Sequence, residues 1–326
     1  MQPTPILTTP SAPAWLEATR RPFHADLYAF YSSLLGGIVT EPLYMQVPVD
    51  DHLVHRGDGV FETIKTVNGR IYCLNEHLDR LLHSAGSIDL AAPFDRTTLR
   101  ALLLDTIRAS GRRDHLVRVI LSRGTGSMGI NPYDCPSAHL YILVHKAAPP
   151  FMSTHPGGAR LVTSSLPVKA GFFATIKTCN YLPNALLKKE AVDRGADFAV
   201  NFDEDGHLAE GATENIGLVT PDRRLRVPLP GRILPGTTMQ RALALAEAGP
   251  REGWLGAIEP ARLTRHDLAA AAEILIFGTT TNVTAVTTLD GHPVGHGKPG
   301  PVQQHLNDLI QREQAAENTF TTPAFT

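Results

Sequence analysis

Residues 146–159, KAAPPFMSTHPGGA, constrain the fold of this chain more than any other stretch, with three prolines and two glycines in close order. Proline lacks the amide donor that a helix interior or a central strand requires, and glycine loses the most backbone freedom on ordering. A regular element does not cross such a stretch, so it divides the 326 residues into two folded halves with the boundary at 149–158. Length agrees, since a domain typically holds about 100–200 residues. The reading is an N-terminal arm over 1–25, a small α+β domain over 26–148, the linker, a larger domain over 159–314 and a polar, fraying tail over 315–326. The arm, rich in Pro, Thr and Ala, reads as a partly extended segment placed to pack on a partner subunit.

Composition narrows the function. Hydrophobic residues make up 43%, enough for a sizeable core, and the formal net charge is -2. That balance gives no basic footprint for nucleic acid or an anionic membrane. No apolar run approaches the roughly 18 residues of a transmembrane helix. The opening MQPTPILTTPSAPAW lacks the basic-then-apolar order of a signal peptide, so a cytoplasmic protein is expected. Cys73, Cys135 and Cys179 are odd in number and scattered, which reads as reduced thiols. Among 14 histidines no metal-ligand spacing stands out. His292 and His296 enclose Pro293 and Gly295 and cannot share a helix face, so no metal is assigned.

The first half alternates strand and helix signals. VFETIKTV and RIYCL flank Asn68-Gly69, a strong hairpin signal, and period 2 puts Phe61, Thr63 and Lys65 on one face. Asn75 is expected to cap a helix that buries Leu78, Leu81, Leu82 and Ala85, with Arg80 off that stripe near His77 and Ser84. A second helix, capped by Asp95 and stopped at Gly111, carries Leu99, Leu102, Leu103 and Ile107 inward. LVRVILSR and AHLYILVHK are neighbouring strands. Between them Gly124, Gly126 and Gly129 spell GxGxxG, yet NPYDCPS follows and leaves no helix start for a dinucleotide pyrophosphate.

The chemistry concentrates in residues 173–215. Lys177 precedes a helix that starts near Tyr181 and stops at Gly195, and Glu210 follows a strand–turn–strand pattern turned at Asp205-Gly206. A neutral lysine forms a Schiff base with an aldehyde, and a carboxylate can keep a pyridinium nitrogen protonated. Pyridoxal phosphate needs both, together with a phosphate site. Arg80 could supply a guanidinium fork, and Thr237 or Thr238 could cap a helix whose N–H groups bind an anion, with Leu243 and Leu245 packed inward. Taken singly, Lys177, Glu210 and Arg80 read more readily as solvated surface residues and the threonines as a plain N-cap. ILIFGTTTNVTAV is a strand ending in threonines, Asp290-Gly291 turns a further hairpin, and a last helix carries Val302, Leu306, Leu309 and Ile310.

Together the motifs HLDRL, IKTCNYLPNALLKKEAVDRGAD, DEDGHLAEGATEN and PGTT resemble the fold-type IV pyridoxal phosphate enzymes: branched-chain and D-amino-acid aminotransferases and aminodeoxychorismate lyases. The resemblance spans about Ile38 to Leu309. It implies a two-domain α+β fold of the D-amino-acid aminotransferase type, with pyridoxal 5'-phosphate between the domains, and a homodimer whose partner contributes to the pocket. It implies Lys177 as the Schiff-base lysine, Tyr181 on the cofactor's phenolic oxygen and Glu210 on the ring nitrogen. Arg80, Thr237 and Thr238 fall on the phosphate, and Thr279 and Thr280 near the phosphate and the substrate carboxylate. Phe61, Thr63, Lys65, Arg118 and Met128 fall on the substrate side. The implied reaction moves an amino group between an amino acid, D- or branched-chain, and a 2-oxo acid. A lyase that forms 4-aminobenzoate and pyruvate and an (R)-amine transaminase are the alternatives, and a non-catalytic cofactor-binding relative is the contrasting class. The chain departs from the pattern at Leu116, where the branched-chain enzymes carry tyrosine, and in lacking an RxH pair between Gly124 and Pro136, for which Arg123 could substitute. Asn282 and Ala285 stand where many members have Glu and Pro.

Overall fold

The structure, a computed structural model, describes residue 8 and residues 11–169 and 171–325. The first half supplies β1 (Leu27–Ser32), β2 (Gly37–Val39), β3 (Gly59–Val67), β4 (Arg70–Tyr72), β5 (His115–Ser122) and β6 (His139–His145). β3 is central and pairs antiparallel with β4 and β5. Asn68 and Gly69 both take positive φ, 52° and 78°, as a two-residue hairpin turn matched to strand twist requires. Helices Leu74–Ser87 and Arg96–Ala109 cover this sheet. Leu78, Leu81 and Ala85 of one and Leu99, Leu103 and Ile107 of the other share a core with Ile64, Val117 and Ile142. A leucine buried this way contributes about 1.5–3 kcal/mol. Leu82 and Leu102 lie at the core's margin, half-buried.

One local expectation changes. Asp95 caps its helix as expected, accepting the Thr98 N–H at 2.7 Å. Asn75, however, is inside the first helix, whose N-cap is Cys73 in a left-handed conformation with φ 52°. Cys73 is pinned there because its N–H donates to Phe320 O at 2.7 Å. The glycine-rich run after β5 is a loop with a single turn of helix at Pro132–Asp134. Gly124 has φ 102°, and a Cβ there would fall 1.9 Å from Ser137 O, so the glycine serves a close backbone approach.

The second half supplies β7 (Ala159–Thr163), β8 (Phe198–Phe202), β9 (Leu208–Gly211), β10 (Asn215–Val219), β11 (Arg224–Pro228), β12 (Ala257–Ala261), β13 (Glu273–Gly278), β14 (Asn282–Leu289) and β15 (His292–Pro293). β10, β13, β14, β7, β8 and β9 pair in that order, and β9 pairs again with β10, so the six close on themselves. Closure removes sheet edges and sets Glu210 directly opposite Asn215. β7 and β8 are parallel, which forces a long crossover between them. That crossover carries Lys177 and the helix Leu182–Asp193. Asp290-Gly291 forms the expected hairpin turn with φ 48° and 82°. In the helix Thr237–Ala246 the buried residues include Met239, Ala242 and Ala246, while Leu243 and Leu245 are only partly covered. Small residues face in because the helix lies close to β13 and β14. The last helix, Pro301–Ala315, buries Val302, Leu306 and Ile310 and leaves Leu309 half-exposed.

Both chain ends depart from the sequence reading. The tail does not fray: β16 (Thr321–Pro323) pairs antiparallel with β4 and becomes an edge of the first sheet. Its backbone donors and Ala324, which is fully buried, find partners that its polar composition does not advertise. The arm is not extended where it is described, since Ala12–Ala18 is a helix and Pro22–Asp26 a short 3-10 turn. Residues 1–7, 9 and 10 of the arm lie outside the described residues.

Candidate active site

The crossover from β7 dips into the first half before its helix begins. Phe61 N–H donates to Lys177 O at 2.9 Å and Cys179 N–H to Gly59 O at 2.8 Å, so residues 177–179 add a short rung to β3. Lys177 N–H donates to Ser84 Oγ at 3.1 Å. These contacts fix the lysine at the seam of the two halves with its side chain in a cavity of about 290 Å³, near the lower end of the roughly 300–1,000 Å³ of small-molecule sites. Lys177 is 8% exposed, and its Nζ donates to Tyr181 Oη at 3.3 Å and lies 4.7 Å from the centre of the Phe61 ring. Burial lowers its pKa and Arg80 and Arg118 add to that effect against Glu62 and Glu210, bringing the amine down to about 8. Burial, with Glu210 and Glu214, pushes the Tyr181 phenol up, so it keeps its proton at neutral pH.

One wall of the cavity is built to hold an anion. Arg80 donates from Nε and Nη2 to the two oxygens of Glu62, both at 2.7 Å, and from Nη1 to Pro235 O at 2.9 Å. Three of the five guanidinium N–H donors are thereby used, and two stay open toward the cavity that Arg80 lines. His77 Nδ1 meets the same glutamate at 2.7 Å, and its Nε2 lies 3.3 Å from Thr237 Oγ1. Burial pushes the Glu62 carboxyl up, but Arg80 and His77 outweigh it and hold the group at about 2. Opposite Arg80 the helix Thr237–Ala246 begins. Its N-cap is Gly236, so neither Thr237 nor Thr238 is the cap; both sit in the first turn, and no side chain caps the helix. The first-turn N–H groups therefore face the cavity without intrahelical partners. A Cβ on Gly236 would fall 1.8 Å from Asn215 Oδ1, while Asn215 Nδ2 donates to Leu234 O at 2.9 Å. Thr279 and Thr280, in the tight turn between β13 and β14, complete this wall.

Glu210 lines a narrow space beside the main cavity with Lys169 and Asn201, close enough to Lys177 for the two charges to act on each other. Its Oε2 accepts the Leu234 N–H at 3.2 Å. Burial pushes the carboxyl up to about 7 against the pull of that N–H, Lys177 and Lys169. A carboxyl of that kind exchanges its proton near neutral pH.

On the other wall Phe61 and Thr63 line the cavity and Arg118 lies across the sheet from Thr63. Arg118 is 4.8 Å from the Phe61 ring centre, and among the described residues it has no carboxylate partner. Lys65 shares the strand parity but does not line the cavity: it is buried, and its Nζ donates to Asn282 Oδ1 at 3.1 Å. Met128 is 61% exposed, with its carbonyl held by Arg56 at 2.6 Å, and is outside the cavity of its own chain. Arg123 is no substitute anion ligand, since Asp58, Ile88 O and Asp89 O occupy it. Asp203, Asp205 and His207 bring possible ligand atoms within 4.8 Å of one another, but Arg232 Nη1 already binds both carboxylates, at 2.7 and 3.2 Å.

A lysine of lowered basicity and a two-sided anion cup thus share one cavity. The family model for class IV aminotransferases matches residues 59–289, which run from β3 through β14. The chain belongs to the class IV aminotransferases. It is 39% identical over 283 residues to the chloroplastic D-amino-acid transaminase of Arabidopsis thaliana, covering 86% of this chain and 75% of that one. A putative branched-chain-amino-acid aminotransferase of Methanocaldococcus jannaschii is 32% identical over 280 residues, covering 85% and 94%. Among solved structures, a T.th. branched-chain amino acid aminotransferase with pyridoxamine 5'-phosphate superposes with a TM-score of 0.83 at 28% identity, over 92% of this chain and 99% of that one. The fold is that of the fold-type IV enzymes, as the motifs implied. Among the described residues no helix is long and apolar enough to cross a membrane.

Class IV aminotransferases use pyridoxal phosphate, and the residues here fit it. The uncapped helix start at Gly236, packed closely on Asn215, and the Arg80 guanidinium in the same cavity suit a phosphate, and Lys177 suits an aldehyde. Four residues that shape this site were given no site role in the sequence reading: Glu62, His77, Asn215 and Gly236. A signal existed for the first two. Glu62 lies on the opposite strand face from Phe61 and Thr63, and a central strand buried on both faces needs a partner for any charge it carries. His77 and Arg80, three apart, share the helix face that provides it.

Proposed function

We propose that this class IV aminotransferase attaches pyridoxal phosphate through Lys177 and moves an amino group between an amino acid, of the D-amino-acid or branched-chain type, and a 2-oxo acid. The observation that carries the proposal is the Lys177 amine, buried, brought down to about 8 and 3.3 Å from a protonated Tyr181 hydroxyl. When bound, pyridoxal phosphate supplies an aldehyde carbon for amine exchange and a ring that withdraws electrons from the substrate α-carbon.

The chain's own residues do the rest. Arg80 and the N–H groups at Thr237 and Thr238 bind the phosphate and fix its orientation. Lys177, neutral in a sizeable fraction near pH 7–8, would take the proton from the substrate α-carbon and deliver it to the cofactor's aldehyde carbon. Tyr181 holds a proton beside Nζ. Glu210, near neutral in pKa, holds a proton on the ring nitrogen. Arg118, buried without a carboxylate partner, binds the substrate carboxylate through a charge-assisted pair. Phe61 excludes water beside Nζ. A homodimer belongs to the same reading, supported by Met128, Ile130 and Tyr133, which present apolar surface at 61%, 81% and 92% exposure on one loop.

A half-reaction tests the proposal. The protein is loaded with pyridoxal phosphate, and D-alanine, D-glutamate, L-leucine, L-glutamate and (R)-1-phenylethylamine are added separately with no acceptor. Conversion of the cofactor's visible band by one handedness of amino acid is expected and names the donor. Rapid conversion by the amine alone would remove the carboxylate role of Arg118. No conversion by any donor, with pyruvate released from aminodeoxychorismate, would establish the lyase alternative.

A further inference from the structure

We infer that Glu313 is a positioning residue for the phosphate cup, acting through a C-terminal strap that ties the two halves of the chain together. The inference rests on the reading that Arg80 and the Thr237–Ala246 helix start hold the phosphate. That cup is split. Arg80 comes from a first-half helix and the open N–H groups from a second-half helix, so neither half forms the cup alone. Affinity then depends on how firmly the two elements are held before the ligand arrives.

Two contacts hold them at the cup itself: Arg80 Nη1 to Pro235 O, and His77 to Thr237 Oγ1. A further brace between the two elements comes from the chain end. Glu313, on the last helix, accepts from Tyr72 Oη at 2.5 Å and from Arg241 Nε and Nη2 at 3.1 and 2.5 Å. Tyr72 ends β4, one residue before the N-cap of the Arg80 helix. Arg241 lies on the cup helix, one turn after Thr237 and Thr238. A single carboxylate thus grips the bases of both cup elements. The Glu313 and Arg241 side chains are 12% and 15% exposed, so salt screens the pair poorly.

Beyond Glu313 the chain crosses to the first half and stays there. The Phe320 ring lies 3.5 Å from the Arg241 guanidinium, and Phe320 O accepts the N–H of Cys73, the N-cap of the Arg80 helix. β16 then adds to β4, Ala324 N–H donates to Gly69 O at 3.0 Å, and Ala324 O accepts from Arg108 Nε at 2.9 Å. The strap therefore starts from the helix that packs on the cup helix, touches the N-cap of the Arg80 helix through Phe320, and ends against the β3–β4 hairpin and the helix Arg96–Ala109.

The test compares pyridoxamine phosphate with pyridoxamine, neither of which needs the Lys177 bond, by calorimetric titration of the cofactor-free full-length protein. The variants are Glu313→Gln, a chain ending at Ala316, and the milder Tyr72→Phe, which removes one donor and keeps the ring. Wild type should prefer the phosphorylated form. In Glu313→Gln that preference should fall by about tenfold, because two charge-assisted bonds are weakened; the shortened chain keeps Glu313 but loses the Phe320 contacts and β16, and its preference should fall by about threefold. In Tyr72→Phe, where the fold is least disturbed, it should fall by about threefold. An unchanged ratio in Tyr72→Phe and Glu313→Gln overturns the inference, and so does an equal loss for both ligands, which marks general loosening. A wild type with no preference for the phosphorylated form would instead overturn the phosphate cup, and the inference with it.

Discussion

Replacing Glu62 with glutamine removes a buried charge while keeping the shape. Glu62 has no exposed surface at the centre of β3, and its partners Arg80 and His77 are themselves covered. The carboxyl is held at about 2 against an ordinary 4.5. That gap, at about 1.4 kcal/mol per pH unit, is worth about 3 kcal/mol, within the roughly 3–5 kcal/mol cost of removing one partner of a buried pair. The sign follows from the direction: a folded-state pKa below the unfolded one gives stability that is complete above about pH 4.5 and lost as pH falls toward 2. Glu62→Gln has no such titration. At pH 7 the cofactor-free variant should melt on the order of 10 °C below wild type. The gap should narrow as the pH drops from 5 to 3. Thermal melts of both proteins across that range decide the matter. Equal melting points at pH 7, or a gap that stays constant down to pH 3, would refute the account of Glu62 as the charged anchor of Arg80.

Burial favours the neutral Lys177 amine, so its reactive form should grow as pH rises through about 8 rather than 10.5. Reductive methylation of the cofactor-free protein, followed at Lys177 by mass spectrometry from pH 6 to 11, reads that midpoint, and one near 10.5 would contradict the burial argument. Arg118→Gln should raise KM for carboxylate donors by about tenfold or more, with a smaller change in kcat; an unchanged KM would place the carboxylate elsewhere. Gly236→Ala puts a Cβ where Asn215 Oδ1 stands, 1.8 Å away, and should weaken pyridoxamine phosphate binding by at least about tenfold. Binding at the wild-type level would show that the cup does not depend on that close approach.

Local signals carried much of the architecture. Asn68-Gly69 and Asp290-Gly291 turn hairpins because both residues of each pair tolerate positive φ, and leucines at helical spacing found the cores they pointed to. The barrel closure was not legible, since it depends on pairings such as β14 with β7, whose partners lie more than a hundred residues apart. Lys177, Arg80, Thr237 and Thr238 came together as the motifs implied, although Gly236 and not a threonine caps the helix. Lys65 follows the strand alternation and still misses the cavity, because parity fixes a face and not how far along the strand the cavity extends. Met128 could not be placed from an apolar residue in a loop. The tail was misread for a physical reason: its order comes from backbone pairing with β4 and from one aromatic ring beneath Arg241, and neither changes its composition.

The central claim is that Lys177 is the residue that carries the cofactor. The direct measurement is borohydride reduction of the pyridoxal phosphate-loaded protein, followed by proteolysis and mass mapping of the modified lysine. The account predicts a single modified peptide, with the label on Lys177. A label on Lys169 or Lys65, the other two buried or half-buried lysines near the seam, or no stable label at all, would contradict it.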